Sequence, residues 1–108
     1  MSHPLPTPIA TYFAAANRHD GAAAVACFDR DATVRDEGHT LVGAVAIRAW
    51  LDDTTRRYAP RLSIEGSERN GNHTLVMARV SDTFPGSPAR LQYRFVSEAL
   101  ITRLEIGL

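Results

Sequence analysis

Asp36 and Tyr12 are the residues of this sequence whose surroundings best suit acid–base chemistry. In Ala32-Thr33-Val34-Arg35-Asp36, strand alternation puts Asp36 on the face of Ala32 and Val34 and leaves Thr33 and Arg35 on the other. A carboxylate among hydrocarbon groups is costly unless it is paired, hydrogen-bonded or protonated, and burial raises its pKa towards useful base strength. A plainer account also fits: the strand has already ended, and Asp36 opens the turn Asp36-Glu37-Gly38-His39 or pairs with an arginine. Tyr12 shares a stripe with Ile9, Phe13 and Ala16 at the i, i+3, i+4, i+7 spacing of a helix, so its phenol faces inward. There it can donate to a developing enolate oxygen in a dry cavity, or meet a backbone carbonyl or water as a core tyrosine.

Asp82 shares strand spacing with Val80 and Phe84 and offers a second carboxylate for an acid and base pair, or a salt bridge at a pocket mouth. His39 suits a proton shuttle or a solvated turn position and ranks below Asp36. His3, His19, His39 and His73 are scattered without metal-ligand spacing, and Cys27 is the single cysteine, so no metal, cofactor or internal disulfide is expected.

Positioning these residues requires an alternation of helices and strands. Prolines at 4, 6 and 8 make a stiff lead-in over residues 1–7, and Thr7-Pro8 reads as an N-cap followed by the first helical residue. After the break at Asn17-Arg18-His19-Asp20-Gly21, Asp20 caps a second, alanine-rich helix whose bulky apolar residues are Val25 and Phe28. The strand carrying Asp36 turns at Glu37-Gly38 into a short strand, Thr40-Leu41-Val42. Beyond Gly43, Ile47, Trp50, Leu51, Thr54 and Tyr58 share one face of a third helix that ends at Ala59-Pro60. The period then changes to two. Leu62 and Ile64 lead to a hairpin turn at Asn70-Gly71, and a strand from about Asn72 to Phe84 carries Val76, Ala78, Val80, Asp82 and Phe84 on one face. Pro85-Gly86-Ser87-Pro88 is a loop; Leu91, Tyr93 and Phe95 alternate in the next strand, and Ser97-Glu98-Ala99 turns into Leu100–Leu108. The fold class is α+β: three N-terminal helices packed on one side of a curved, mainly antiparallel sheet, in one domain over residues 8–108.

Composition narrows the partners. Twelve basic and twelve acidic residues cancel, so the overall field attracts neither nucleic acid nor an anionic membrane, while weak colloidal repulsion favours self-association. No apolar run reaches membrane-spanning length, and the start at Met1-Ser2-His3-Pro4-Leu5-Pro6 lacks a basic and apolar leader, so a cytoplasmic location is expected.

Three segments carry a resemblance that runs nearly end to end: the first helix with Asn17-Arg18-His19-Asp20, then Cys27-Phe28-Asp29-Arg30-Asp31-Ala32-Thr33-Val34-Arg35-Asp36, then Gly43-Ala44-Val45-Ala46-Ile47-Arg48. In their order they resemble the SnoaL-like branch of the nuclear transport factor two-like superfamily, whose fold hosts isomerases, cyclases, dehydratases, hydrolases and non-catalytic modules. The resemblance implies a cone enclosing an apolar pocket, and a convex sheet face that forms a homodimer. The inward faces then line the pocket as well as the core: Val34, Trp50, Tyr58, Val80, Asp82, Phe84, Leu91 and Tyr93. Tyr12 and Asp36 are similar in placement to the oxyanion-stabilising tyrosine and general-base aspartate of ketosteroid isomerase. The third position of that family, a protonated carboxylic acid, falls at Leu91, and leucine cannot donate a hydrogen bond. The expected function is binding of a small, apolar carbonyl compound with proton transfer by Asp36 and Tyr12; the alternative is a non-catalytic ligand-binding or dimerisation module.

Overall fold

The computed structural model describes residues 5–81 and 87–108. Its elements run α1 (Thr7–Asn17), α2 (Gly21–Val25), β1 (Phe28–Asp36), β2 (His39–Val42), α3 (Ala44–Tyr58), β3 (Arg61–Asn70), β4 (His73–Ser81), β5 (Ala89–Ser97) and β6 (Ile101–Gly107). The strands form one open sheet in the order β2-β1-β6-β5-β4-β3. Among the described residues only β1 with β6 is a parallel pair; the other neighbours are antiparallel. The α+β class expected from the periodicities is the observed one, and the expected strand residues 82–84 lie outside the described residues.

Local differences from the expected boundaries have physical causes. Helix α1 begins one residue early because Pro6 takes the cap position in an extended conformation and its carbonyl accepts the N–H groups of Ile9 and Ala10. Pro8 then sits within the first turn, where its missing N–H removes no helical bond. Asp20 caps α2 by accepting the Ala23 N–H at 3.0 Å, but Phe28 does not belong to that helix. It opens β1 and pairs with Ile101 of β6. In the β3–β4 hairpin Asn70 stays in the ladder opposite His73, so the loop is Gly71-Asn72 rather than Asn70-Gly71. Glycine, at φ 63°, takes the first central position, as a type II′ turn requires. The β1–β2 turn places Glu37 at φ 52° and Gly38 at φ 78°, the pattern of a type I′ turn, directly after Asp36.

Register sorts the inward face of the sheet into lateral rows. Val34, Leu104, Phe95 and Thr74 are successive partners across β1, β6, β5 and β4, and all four are buried. The next row is Asp36, Ile106, Tyr93 and Val76. The stripe of α1 supplies Ile9, Tyr12 and Phe13 to the core, with Ala15 buried beside them and Ala16 of the expected stripe only partly buried, and α3 adds Ile47 and Leu51. Irregular pairing between Phe28 and Thr33, between Ile64 and Gly66 and between Val96 and Ser97 bends the strands, which curves the sheet around the helices.

The Asn17 side chain of α1 hydrogen-bonds to the edge strand β3. Asn17 Oδ1 accepts the Leu62 N–H at 2.7 Å and its Nδ2 donates to the Leu62 carbonyl at 2.9 Å, so the amide substitutes for a neighbouring strand. Leu62 is buried there, whereas Ile64, two residues farther along, stays 45% exposed. Asn17→Ala should lower unfolding stability by about 1–3 kcal/mol, since both backbone groups of a buried residue lose their partners. Urea unfolding with unchanged m-value would register this loss; an unaltered midpoint would show that the amide clamps nothing.

Candidate functional site

The helices cover the Val34 row more fully than the Asp36 row, and a cavity of about 800 Å³ opens beside the latter. Its floor comes from Asp36, Ile106 and Tyr93 of the sheet, with Val80 and Leu91 farther along, and its other walls from Tyr12 of α1 and from Trp50, Leu51 and Tyr58 of α3. A smaller depression of about 190 Å³ lies among Thr33, Arg35, Thr40, Arg103 and Glu105, side chains of the outward sheet face, away from these groups.

Of the residues singled out in the sequence, Tyr12, Asp36, Trp50, Tyr58, Val80, Leu91 and Tyr93 border the large cavity. Val34 does not; it is fully buried in the row behind, because strand alternation gives it the same face but register places it under the helices. Asp82 and Phe84 lie outside the described residues. His39 borders the cavity from the start of β2 and is exposed. Several lining residues were not singled out: Leu41, Leu51, Leu62 and Ile106, with Asp53 and Arg57 on the polar side. For Leu51 and Ile106 the apolar periodicity was a signal; for Asp53 and Arg57 none existed, since a charged pair at i, i+4 usually marks a solvated helix face.

Asp36 is half-buried at the end of β1, and its Oδ2 accepts a hydrogen bond from Trp50 Nε1 at 3.1 Å. No ion pair among the described residues involves it, so the arginine pairing open at the sequence level is absent among them. Burial pushes its pKa above the ordinary aspartate value; the Trp50 N–H opposes that rise, the neighbouring Glu37 charge adds to it, and His39 and a backbone hydrogen bond from Glu37 work against it. The carboxylate is thus oriented by the Trp50 indole and the Glu37 backbone and borders the cavity.

Two phenols feel this carboxylate. Burial, then Tyr93, Asp36 and Cys27, hold the Tyr12 hydroxyl well above its usual pKa. Burial and then Asp36 do the same for Tyr93. Both therefore stay protonated at neutral pH and keep a proton to donate. Their rings are fixed by a cluster of aromatics: Tyr12 meets Phe13 and Phe28 edge-on at 5.3 and 5.5 Å, and Tyr93 meets Phe13 at 5.4 Å. Such contacts prefer tilted geometries and resist rotation. Cys27 is buried, donates to the Ala23 carbonyl at 3.4 Å and has its thiol pKa raised by burial, which makes it a poor nucleophile. Among the described residues, no group of three or more His, Cys, Asp or Glu could hold a metal ion, and no helix is long and apolar enough to cross a membrane.

The chain is similar to several known proteins. A model of the SnoaL-like domain matches residues 9–102. A candidate polyketide cyclase from Sinorhizobium meliloti is 38% identical, with 95% of each chain covered and a TM-score of 0.92. A protein of ketosteroid isomerase-like fold from Catenulispora acidiphila, solved in complex with trimethylamine, is 20% identical over 97% of this chain and 87% of that one, with a TM-score of 0.85. A nuclear transport factor two-like protein of unknown function from Cytophaga hutchinsonii is 14% identical over 99% and 93%, with a TM-score of 0.80. No curated protein matches this sequence. The second and third likenesses bear on the fold alone; the matched residues 9–102 and the 38% identity reach further, and by them the chain belongs to the SnoaL-like domain family.

Proposed function

We propose that the cavity binds a small, mostly apolar carbonyl compound and that Asp36 removes a proton from the carbon next to its carbonyl, while Tyr12 donates a hydrogen bond to the oxygen on which negative charge develops. The observation that carries this reading is a half-buried carboxylate, unpaired by any cation among the described residues, on the wall of the cavity that a protonated phenol also borders. Trp50 orients the carboxylate through Oδ2, and the carboxylate takes the proton. The electron pair of the broken C–H bond moves into the carbonyl, and the enolate oxygen receives the Tyr12 hydrogen bond. Returning the proton to a different carbon isomerises the compound; attack of the enolate carbon on a second carbonyl closes a ring. The candidate polyketide cyclase, at 38% identity, supports this class of chemistry without naming a substrate.

A homodimer through the outward sheet face belongs to the same proposal. Leu75, Met77 and Val96 are only half-buried there, between Arg79, Arg94 and Arg103, a mixture that suits a partly polar isologous contact. Sedimentation should show a dimer that Met77→Glu dissociates; a wild-type monomer at high micromolar concentration would exclude it.

Hydrogen–deuterium exchange at carbons next to a carbonyl, followed by NMR over a panel of small ketones, tests the chemistry without a known substrate. Asp36→Asn should slow exchange by about 10²–10⁴-fold and Tyr12→Phe by about 10²–10³-fold, with circular dichroism unchanged. Exchange at wild-type rate in both variants would leave a binding module.

The base must be ionised, so exchange should rise with pH through a midpoint above the ordinary aspartate range. Trp50→Phe removes a bond that favours the ionised form and should move that midpoint to higher pH. Stability changes in the opposite sense: the folded chain holds this proton more tightly than the unfolded one, so wild type loses stability relative to Asp36→Asn as pH rises through the same window. A pH profile indifferent to Trp50→Phe would refute the tethered base.

A further inference from the structure

We propose that Tyr93 is the second hydrogen-bond donor to the substrate oxygen, so that a pair of phenols, Tyr12 and Tyr93, forms the oxyanion site of this cavity and selects an oxygen able to accept two such bonds. This rests on the reading of Asp36 and Tyr12 given above.

Leu91, where the family resemblance puts a donor acid, pairs with Ala78 and stands outside the row of Asp36. Tyr93 stands in that row. Asp36 is paired with Ile106, and Ile106 with Tyr93, so their side chains rise from the same face of the sheet two strands apart. At about 4.8 Å per strand the two backbones are separated by about 10 Å, room for one small ring laid across Ile106 with its acidic carbon towards one strand and its oxygen towards the other. Tyr12 descends onto the same region from α1, and all four residues border the cavity.

The two phenols are held as a pair. Phe13 touches both, at 5.3 Å from Tyr12 and 5.4 Å from Tyr93, and so does Phe95, edge-on to Tyr12 at 6.0 Å and stacked on Tyr93 at 6.3 Å. Neither hydroxyl has a hydrogen-bond partner among the described residues, and both side chains, though nearly buried, border the cavity. An sp² carbonyl oxygen has two lone pairs in its plane, and an enolate oxygen accepts more strongly, so the pair is better matched to the charged intermediate than to the ketone. The ligand class is a compact cyclic ketone or phenol with one unhindered oxygen.

A phenolate mimics the enolate as a stable ion, and Asp36→Asn supplies the neutral side chain present when the enolate exists. In that background 4-nitrophenolate binding is read by its visible absorbance and compared with 4-nitroanisole, of similar shape but neutral. Adding Tyr93→Phe should raise the phenolate dissociation constant about tenfold or more and leave the anisole constant unchanged; Tyr12→Phe should do the same. Tyr93→Phe that weakens both ligands equally, or neither, while Tyr12→Phe weakens only phenolate, overturns the paired site and leaves a single-donor site standing. No phenolate binding, or indifference to both substitutions, sinks the pair together with the proposed function.

Discussion

A single parallel pairing governs the geometry of this domain. Because β1 joins β6 in parallel and β6 joins β5 antiparallel, Asp36, Ile106 and Tyr93 come into one lateral row on the inward face. A slip of one residue in β1 would turn Asp36 and Val34 to the outward face and bring Thr33 and Arg35 inward, replacing the carboxylate of the cavity floor by a cation. The row next to it, Val34, Leu104, Phe95 and Thr74, is sealed by the helices and supplies the rigidity against which the open row is held. Core and cavity are thus adjacent strips of one sheet face, and the boundary between them is set by how far α1 and α3 reach.

That boundary explains the electrostatics. The helices come close enough to strip water from Asp36, raising its pKa, yet Trp50 of α3 meets it with an N–H rather than a cation. An arginine there would pair with the carboxylate and quench it as a base; an indole donor orients one oxygen and leaves the charge largely intact. The aromatic cluster around Phe13 and Phe95 performs the matching task for the phenols, holding each ring without consuming its hydroxyl. The proposed proton transfer needs polar groups that are positioned but not satisfied, and apolar packing is a means of positioning them.

Much of the fold was legible in the sequence because hydrophobic period reports directly on which face is buried. The i, i+3, i+4, i+7 stripe of Ile9, Tyr12, Phe13 and Ala16, and the alternation of Leu91, Tyr93 and Phe95, required no partner to be interpretable. What failed were local decisions between competing rules. Phe28 fits either the end of an alanine-rich helix or the start of a strand, and pairing with Ile101 settled it. Asn70-Gly71 is a strong turn signal, yet the register of β3 with β4 moved the loop one residue along. Val34 shows the limit most clearly: alternation places it correctly inward, but inward means core or cavity depending on what lies above it.

The chain by itself determined the helical stripe that carries Tyr12, the strand face that carries Asp36 and the α+β class, since each follows from a repeat within a few residues. Only the tertiary structure decided that Asp36 meets Trp50 instead of an arginine, that Val34 is sealed while Tyr93 borders a void, and that Tyr93 rather than Leu91 lines up with the carboxylate. Those outcomes depend on strand register and helix reach, which are settled by the packing of residues far apart in the chain and leave no local trace in it.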